Sequence, residues 1–91
     1  MVFVINEKKY DTNKLELISN KFRYEYKVSH PILGELTHVT HDTGLYKSKK
    51  SNWLVVFDGY GRAVTEKEAR NMLLKHDYKA YEKQFGELEE A

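Results

Sequence analysis

Ninety-one residues suffice for one domain and are too few for two. Fifteen basic and 14 acidic side chains give a formal charge of +1, which excludes bulk attraction to nucleic acid or to an anionic membrane. Cysteine is absent, which excludes disulfides and thiolate metal sites and fits a reducing compartment.

No apolar run approaches the ~18 residues that span a bilayer. The opening Met1-Val2-Phe3-Val4-Ile5 lacks a basic leader. A cytoplasmic protein with no membrane partner is the expectation. The charge is mildly segregated: residues 1–50 carry nine basic and six acidic side chains, and residues 51–91 carry six and eight. Seven of the twelve aromatics are tyrosines, which pack through the ring and tolerate water at the hydroxyl. Pro31 is the single proline, and no repeat or linker divides the chain, so residues 1–91 form one domain.

In chain order, Val2 to Ile5 is a short β-favouring run. Asn6-Glu7 reads as a turn, and Lys8-Lys9-Tyr10 as a returning strand. Asp11-Thr12-Asn13 favours local side-chain to backbone bonds. Leu15, Leu17 and Ile18 fit either a helical turn or a strand. From Phe22 to Val28, apolar Phe22, Tyr24, Tyr26 and Val28 alternate with Arg23, Glu25 and Lys27. Period two gives a strand with one packed and one wet face. Residues 29–34, around Pro31, break it.

Residues 36–40 and 43–48 are weaker strands, the latter entering a hairpin through Ser48-Lys49-Lys50-Ser51-Asn52. The hairpin returns in Trp53-Leu54-Val55-Val56-Phe57, apolar throughout and so expected as a central strand. Asp58-Gly59-Tyr60-Gly61 ends that strand and leads toward the helices. Thr65 and Glu68 fit a capping box. Ala69, Met72, Leu73, His76 and Ala80 form one helical stripe, and Leu74, Tyr78, Tyr81, Phe85 and Leu88 another. The stripes lie about 130° apart on one helix, so a break is predicted at residues 75–77, with Asp77 capping a second helix and Gly86 stopping it. The fold class is α+β: an antiparallel sheet of about four to five strands followed by two C-terminal helices.

The polar constellations offer little chemistry. His30, His38, His41 and Asp42 contain metal-binding side chains, but positions 38 and 41 of one strand face opposite ways. They read as strand and turn residues, with no metal and no cofactor. Asp58-Gly59-Tyr60-Gly61-Arg62 precedes a helix, yet it lacks the third glycine and the parallel βαβ unit of a phosphate cradle. Lys47, Lys49 and Lys50 beside Tyr46 and Trp53 combine cations with aromatics, as single-strand nucleic-acid sites do. Lysines in a turn also protect a sheet edge. Glu82, Glu87, Glu89 and Glu90 make an acidic end that reads as a solvated terminus. No serine lies in a Gly-x-Ser-x-Gly elbow. A binding protein rather than an enzyme is expected.

Three segments carry a resemblance. Val4-Ile5-Asn6-Glu7-Lys8-Lys9-Tyr10-Asp11-Thr12, the hairpin Leu45-Tyr46-Lys47-Ser48-Lys49-Lys50-Ser51-Asn52-Trp53, and the helical end (Glu66-Lys67-Glu68-Ala69 through His76, then Tyr81-Glu82-Lys83-Gln84-Phe85-Gly86 to Ala91) resemble a group of small phage and mobile-element proteins of bacteria. Some members of that group look like type II-A anti-CRISPR proteins. The resemblance implies an inhibitor that binds Cas9, alone or with its guide RNA, in a bacterial cytoplasm. It assigns no binding residues. From the residues themselves, Arg23, Tyr46, Lys47, Lys49, Lys50, Trp53, Tyr60 and Arg62 are the expected partner-binding set, with Trp53 suiting the core equally well. A nucleic-acid-binding accessory protein and a homo-oligomeric assembly protein are the alternatives.

Overall fold

The computed structural model describes residues 1–21, 23, 25–39 and 43–91. Its strands are β1 (Val2–Ile5), β2 (Lys8–Asp11), β3 (Glu16–Ser19), β4 (Glu25–His30), β5 (Gly34–Val39), β6 (Thr43–Lys47), β7 (Trp53–Phe57) and β8 (Tyr60–Val64). Helices α1 (Glu66–His76) and α2 (Tyr78–Phe85) follow. The α+β class holds. The strands fall into three antiparallel sheets, a central one of order β3-β6-β7-β8 and the hairpins β1-β2 and β4-β5.

Turn chemistry fixes the pairing. Asn6 and Glu7 both have positive φ, 52° and 64°, as a two-residue type I′ hairpin turn requires. They set Ile5 opposite Lys8. Asp58 and Gly59, at 46° and 82°, set Phe57 opposite Tyr60 in the same way. Residues 60–64 are therefore a strand, where the sequence suggested only a passage to the helix. Asp-Gly between two β-capable runs is a strong hairpin signal, and it outweighs the weak β preference of Gly61 and Arg62. Gly61 then lies within β8, which removes the notion of a glycine cradle ahead of α1.

The open choice at Leu17 and Ile18 resolves to a strand, β3, because its residues pair with β6. One further expectation is corrected. The strand before Pro31 runs on through His30, whose Nδ1 accepts the backbone N–H of Ile32 (3.1 Å) and Leu33 (3.0 Å) and so shapes the turn. The earlier part of the expected alternation, Phe22 and Tyr24, lies outside the described residues.

Register assigns the two faces of the central sheet. Leu45, Trp53, Val55, Phe57 and Val64 share one face and pack with Ala69 and Leu73 of α1. Leu45, Val55 and Leu73 are fully buried, each stabilising by about 1.5–3 kcal/mol on leaving water. Met72, Ala80, Tyr81 and Phe85 close the edges of this core. On the other face Leu54 is fully buried. There the β1-β2 hairpin brings Phe3 so close to Gly61 that a Cβ would lie 2.6 Å from the ring.

Thr65 and Glu68 cap each other at 3.1 Å in both directions and start α1. The chain breaks at Asp77, as the two stripes require. Asp77 Oδ1 accepts the Ala80 N–H at 3.3 Å as the cap of α2, and Gly86 ends that helix at φ 103°. No helix among the described residues is long and apolar enough to cross a membrane.

Candidate functional site

The turn between β6 and β7 is built around Ser48. Its N–H donates to Asn52 O at 2.8 Å, its carbonyl accepts Ser51 N–H at 3.0 Å, and its hydroxyl accepts Asn52 N–H at 3.0 Å. Ser51 takes a positive φ of 62° to close the loop. These bonds leave Lys49 and Lys50 exposed at the tip. Lys47, the last residue of β6, holds its ammonium 5.5 Å from the Trp53 ring centre. Such cation–π contacts contribute about 0.5–1 kcal/mol at partly exposed sites.

The N-terminal hairpin completes the site. Lys8 Nζ donates to Asn52 Oδ1 at 3.2 Å, linking β2 to the turn. Beyond β2 the chain reverses on Asp11, whose side chain accepts Asn13 N–H at 3.0 Å and whose carbonyl accepts Lys14 N–H at 2.9 Å. That reversal brings Lys14 to the turn lysines. Lys9, Lys14, Lys49 and Lys50 line an open groove of about 520 Å³ that also borders on buried Tyr10. A second groove, also lined by Lys14 and Lys49, continues past Lys47. Six lysines (8, 9, 14, 47, 49 and 50) thus surround one turn. None of them forms an ion pair among the described residues. The ion pairs among the described residues involve Lys27, Arg62, Arg70 and His38 instead. Asp11 and Glu16 are the carboxylates bordering the grooves. Ammonium groups gathered around a concave surface raise the local concentration of anions.

The expected set divides. Lys47, Lys49 and Lys50 come together. Tyr46 is next to them on β6, but its side chain lies on the opposite sheet face, beside Gly44 and Leu17. Trp53 is corrected to the core: it is 2% exposed and stacks on Phe85 at 5.8 Å, because its strand is central and α2 covers that face. Tyr60 and Arg62 are on β8, the far edge of the sheet from β3, about 14 Å away over three strand spacings. Arg62 faces Glu68 at 3.6 Å. Arg23 lines a separate groove with Lys21 and Lys75. Lys8, Lys9 and Lys14 were missed by sequence reasoning. The available signal was Lys8-Lys9 ahead of Tyr10, in a strand whose alternation buries the tyrosine and leaves Lys9 outward.

A second polar cluster anchors the β4-β5 hairpin. Tyr26 packs against Phe57 and against His38, each at 5.1 Å, and His38 Nε2 lies 3.4 Å from Asp58 Oδ2. Burial pushes the Tyr26 hydroxyl above the ordinary phenol range, and the Asp58 carboxylate pushes it the same way. His30 is used within its own turn. Among the described residues, no three His, Asp or Glu side chains stand close enough to hold a metal. His41 and Asp42 lie outside those residues. Beyond this anchor, Val28 and Leu36 pair across the hairpin and remain 43% and 41% exposed, and Ile32 and Leu33 at its tip are 87% and 68% exposed.

No protein-family model, curated protein or solved structure matches this chain.

Proposed function

We propose that this chain acts by binding rather than by catalysis, and that the lysines around the β6-β7 turn hold the phosphate backbone of a nucleic acid. The observation that carries this reading is the convergence of Lys9, Lys14, Lys47, Lys49 and Lys50 on one pair of joined grooves, with Lys8 bonded to Asn52 at their border and none of the six in an ion pair among the described residues. A chain of net charge +1 gains no general attraction to polyanions, so local concentration of charge is what supports binding. Phosphate contacts by lysine release counterions, and affinity then falls steeply with salt. Fluorescence anisotropy with labelled single-stranded and duplex oligonucleotides tests this. Binding at low salt that weakens strongly by physiological salt agrees. No complex at low salt contradicts it.

The β4-β5 hairpin favours a second reading. Its four exposed aliphatic side chains suit a protein surface better than a phosphate backbone. Joined to the resemblance given above, that feature makes a type II-A Cas9, alone or with its guide RNA, the protein partner. The chain would then be an inhibitor carried by a phage or mobile element. Target cleavage by several type II-A effectors, with and without the protein, is the test. Inhibition supports this reading, and unchanged cleavage throughout contradicts it.

A further inference from the structure

We propose that the turn lysines are one end of a longer track, and that a single strand of nucleic acid lies along β3 with its phosphates against basic side chains at both ends of that strand. This inference rests on the phosphate-binding reading of the turn.

Four grooves succeed one another along residues 9–25. The two at the turn border residues 9–15 and 13–16. The next borders residues 17–21 together with Lys79 and Lys83 of α2. The last is lined by Lys21, Arg23 and Lys75. β3 is the outermost strand of its sheet, with β6 as its neighbour, so among the described strands none covers its outer edge. The helix break produces the second cluster. The Ser19–Asp77 hydrogen bond of 2.6 Å docks the α1-α2 junction on the end of β3. Lys75 lies just before that junction and Lys79 just after it, and Lys83 shares a helix face with Lys79.

The charge count sets the sign of the partner. Lys21, Arg23, Lys75, Lys79 and Lys83 form no ion pair among the described residues, and with Lys9, Lys14, Lys47, Lys49 and Lys50 they make ten basic side chains lining the four grooves. The carboxylates bordering the same grooves are Asp11, Glu16, Glu25 and Asp77. The track therefore carries about +6 within a chain of +1. Between the two clusters, Leu17 is 48% exposed and borders the third groove. An exposed apolar side chain between cations suits the faces of unpaired bases, which a duplex keeps hidden. Lys14 and Lys21 are seven residues apart, at most about 23 Å even if the whole span were extended. At a rise of about 3.4 Å per nucleotide this spans no more than about seven stacked nucleotides.

The test is anisotropy of the whole protein with oligothymidylates of about 3, 8 and 12 nucleotides. Affinity is expected to rise from the shortest to the middle length and then level off. K21Q/K79Q/K83Q is expected to weaken the middle length at least about tenfold at low salt and to reduce its salt slope by about 2. The same variant should leave the shortest oligonucleotide unchanged. R23Q/K75Q, at the other groove of this cluster, should act in the same direction, and circular dichroism checks that each variant is folded. If both variants bind the middle length with unchanged affinity and slope while K14Q/K49Q/K50Q weakens it, the track is wrong and the turn site stands. If the unaltered protein binds no oligonucleotide, or binds phosphatidylserine vesicles in their place, both are wrong.

Discussion

The Ser19 hydroxyl donates a 2.6 Å hydrogen bond to Asp77, which also caps α2 through Ala80 N–H. One carboxylate thus joins the edge strand of the sheet to the helix break. Ser19 is 5% exposed, so its hydroxyl depends on that partner. Asp77→Ala removes a cap, worth about 1 kcal/mol, and a charge-assisted bond, worth about 1.5–3 kcal/mol. Loss of about 2.5–4 kcal/mol and a fall in Tm of at least about 10 °C are expected. Thermal circular dichroism reads it, and a fall of under about 2 °C would show that the bond does not hold the junction.

Gly61 is required by its neighbour rather than by its own φ. A Cβ there would stand 2.6 Å from two carbons of the Phe3 ring, and the ring is confined by the β1-β2 hairpin. Gly61→Ala is expected to cost about 1–3 kcal/mol through overpacking. In a double-mutant cycle with Phe3→Ala the two changes should be strongly non-additive. Additive effects would mean that Phe3 and Gly61 are not in contact.

Trp53 sits in the core with its indole Nε1 buried and without a hydrogen-bond partner among the described residues. Trp53→Phe removes an unsatisfied donor along with some volume, so a cost below about 1.5 kcal/mol is expected. Trp53→Ala should cost about 3–5 kcal/mol. Oligonucleotide affinity of Trp53→Phe should match that of the unaltered protein. A large loss of affinity in a folded Trp53→Phe would return Trp53 to the binding surface.

Tyr26 links stability to alkaline pH. Burial first, and then Asp58, raise its folded-state pKa above the unfolded value near 10. A raised value means that its contribution is complete below the unfolded pKa and is lost as pH rises through the folded one. Denaturant melts should therefore show stability declining above about pH 10, and the decline should be shallower in Tyr26→Phe. An identical alkaline limb in both proteins would contradict the assignment.

Much of the fold was legible because its signals are local. Asn6-Glu7, the hairpin from Tyr46 to Trp53, the Thr65–Glu68 box and the break at Asp77 each depend on a few neighbouring residues and their backbone preferences. β8 was missed because Tyr60-Gly61-Arg62-Ala63 has weak β propensity and is held by pairing with β7. β3 was ambiguous because three apolar residues in four fit both periods, and pairing with β6 decided it. The candidate site was half legible. The turn lysines stand together in sequence, whereas Lys8, Lys9 and Lys14 join them through contact between two hairpins about 40 residues apart, which no local pattern encodes. Trp53 was ambiguous for the opposite reason: a tryptophan beside lysines suits an interface as well as a core, and the covering helix α2 decides it.

The salt dependence of single-strand binding, measured for the unaltered protein and for K14Q/K49Q/K50Q, tests phosphate binding by the turn lysines most directly. The expected result is a log affinity falling with log salt at a slope near −3 or steeper, made shallower by about 2 in the variant. A variant with the same affinity and the same slope as the unaltered protein would contradict it.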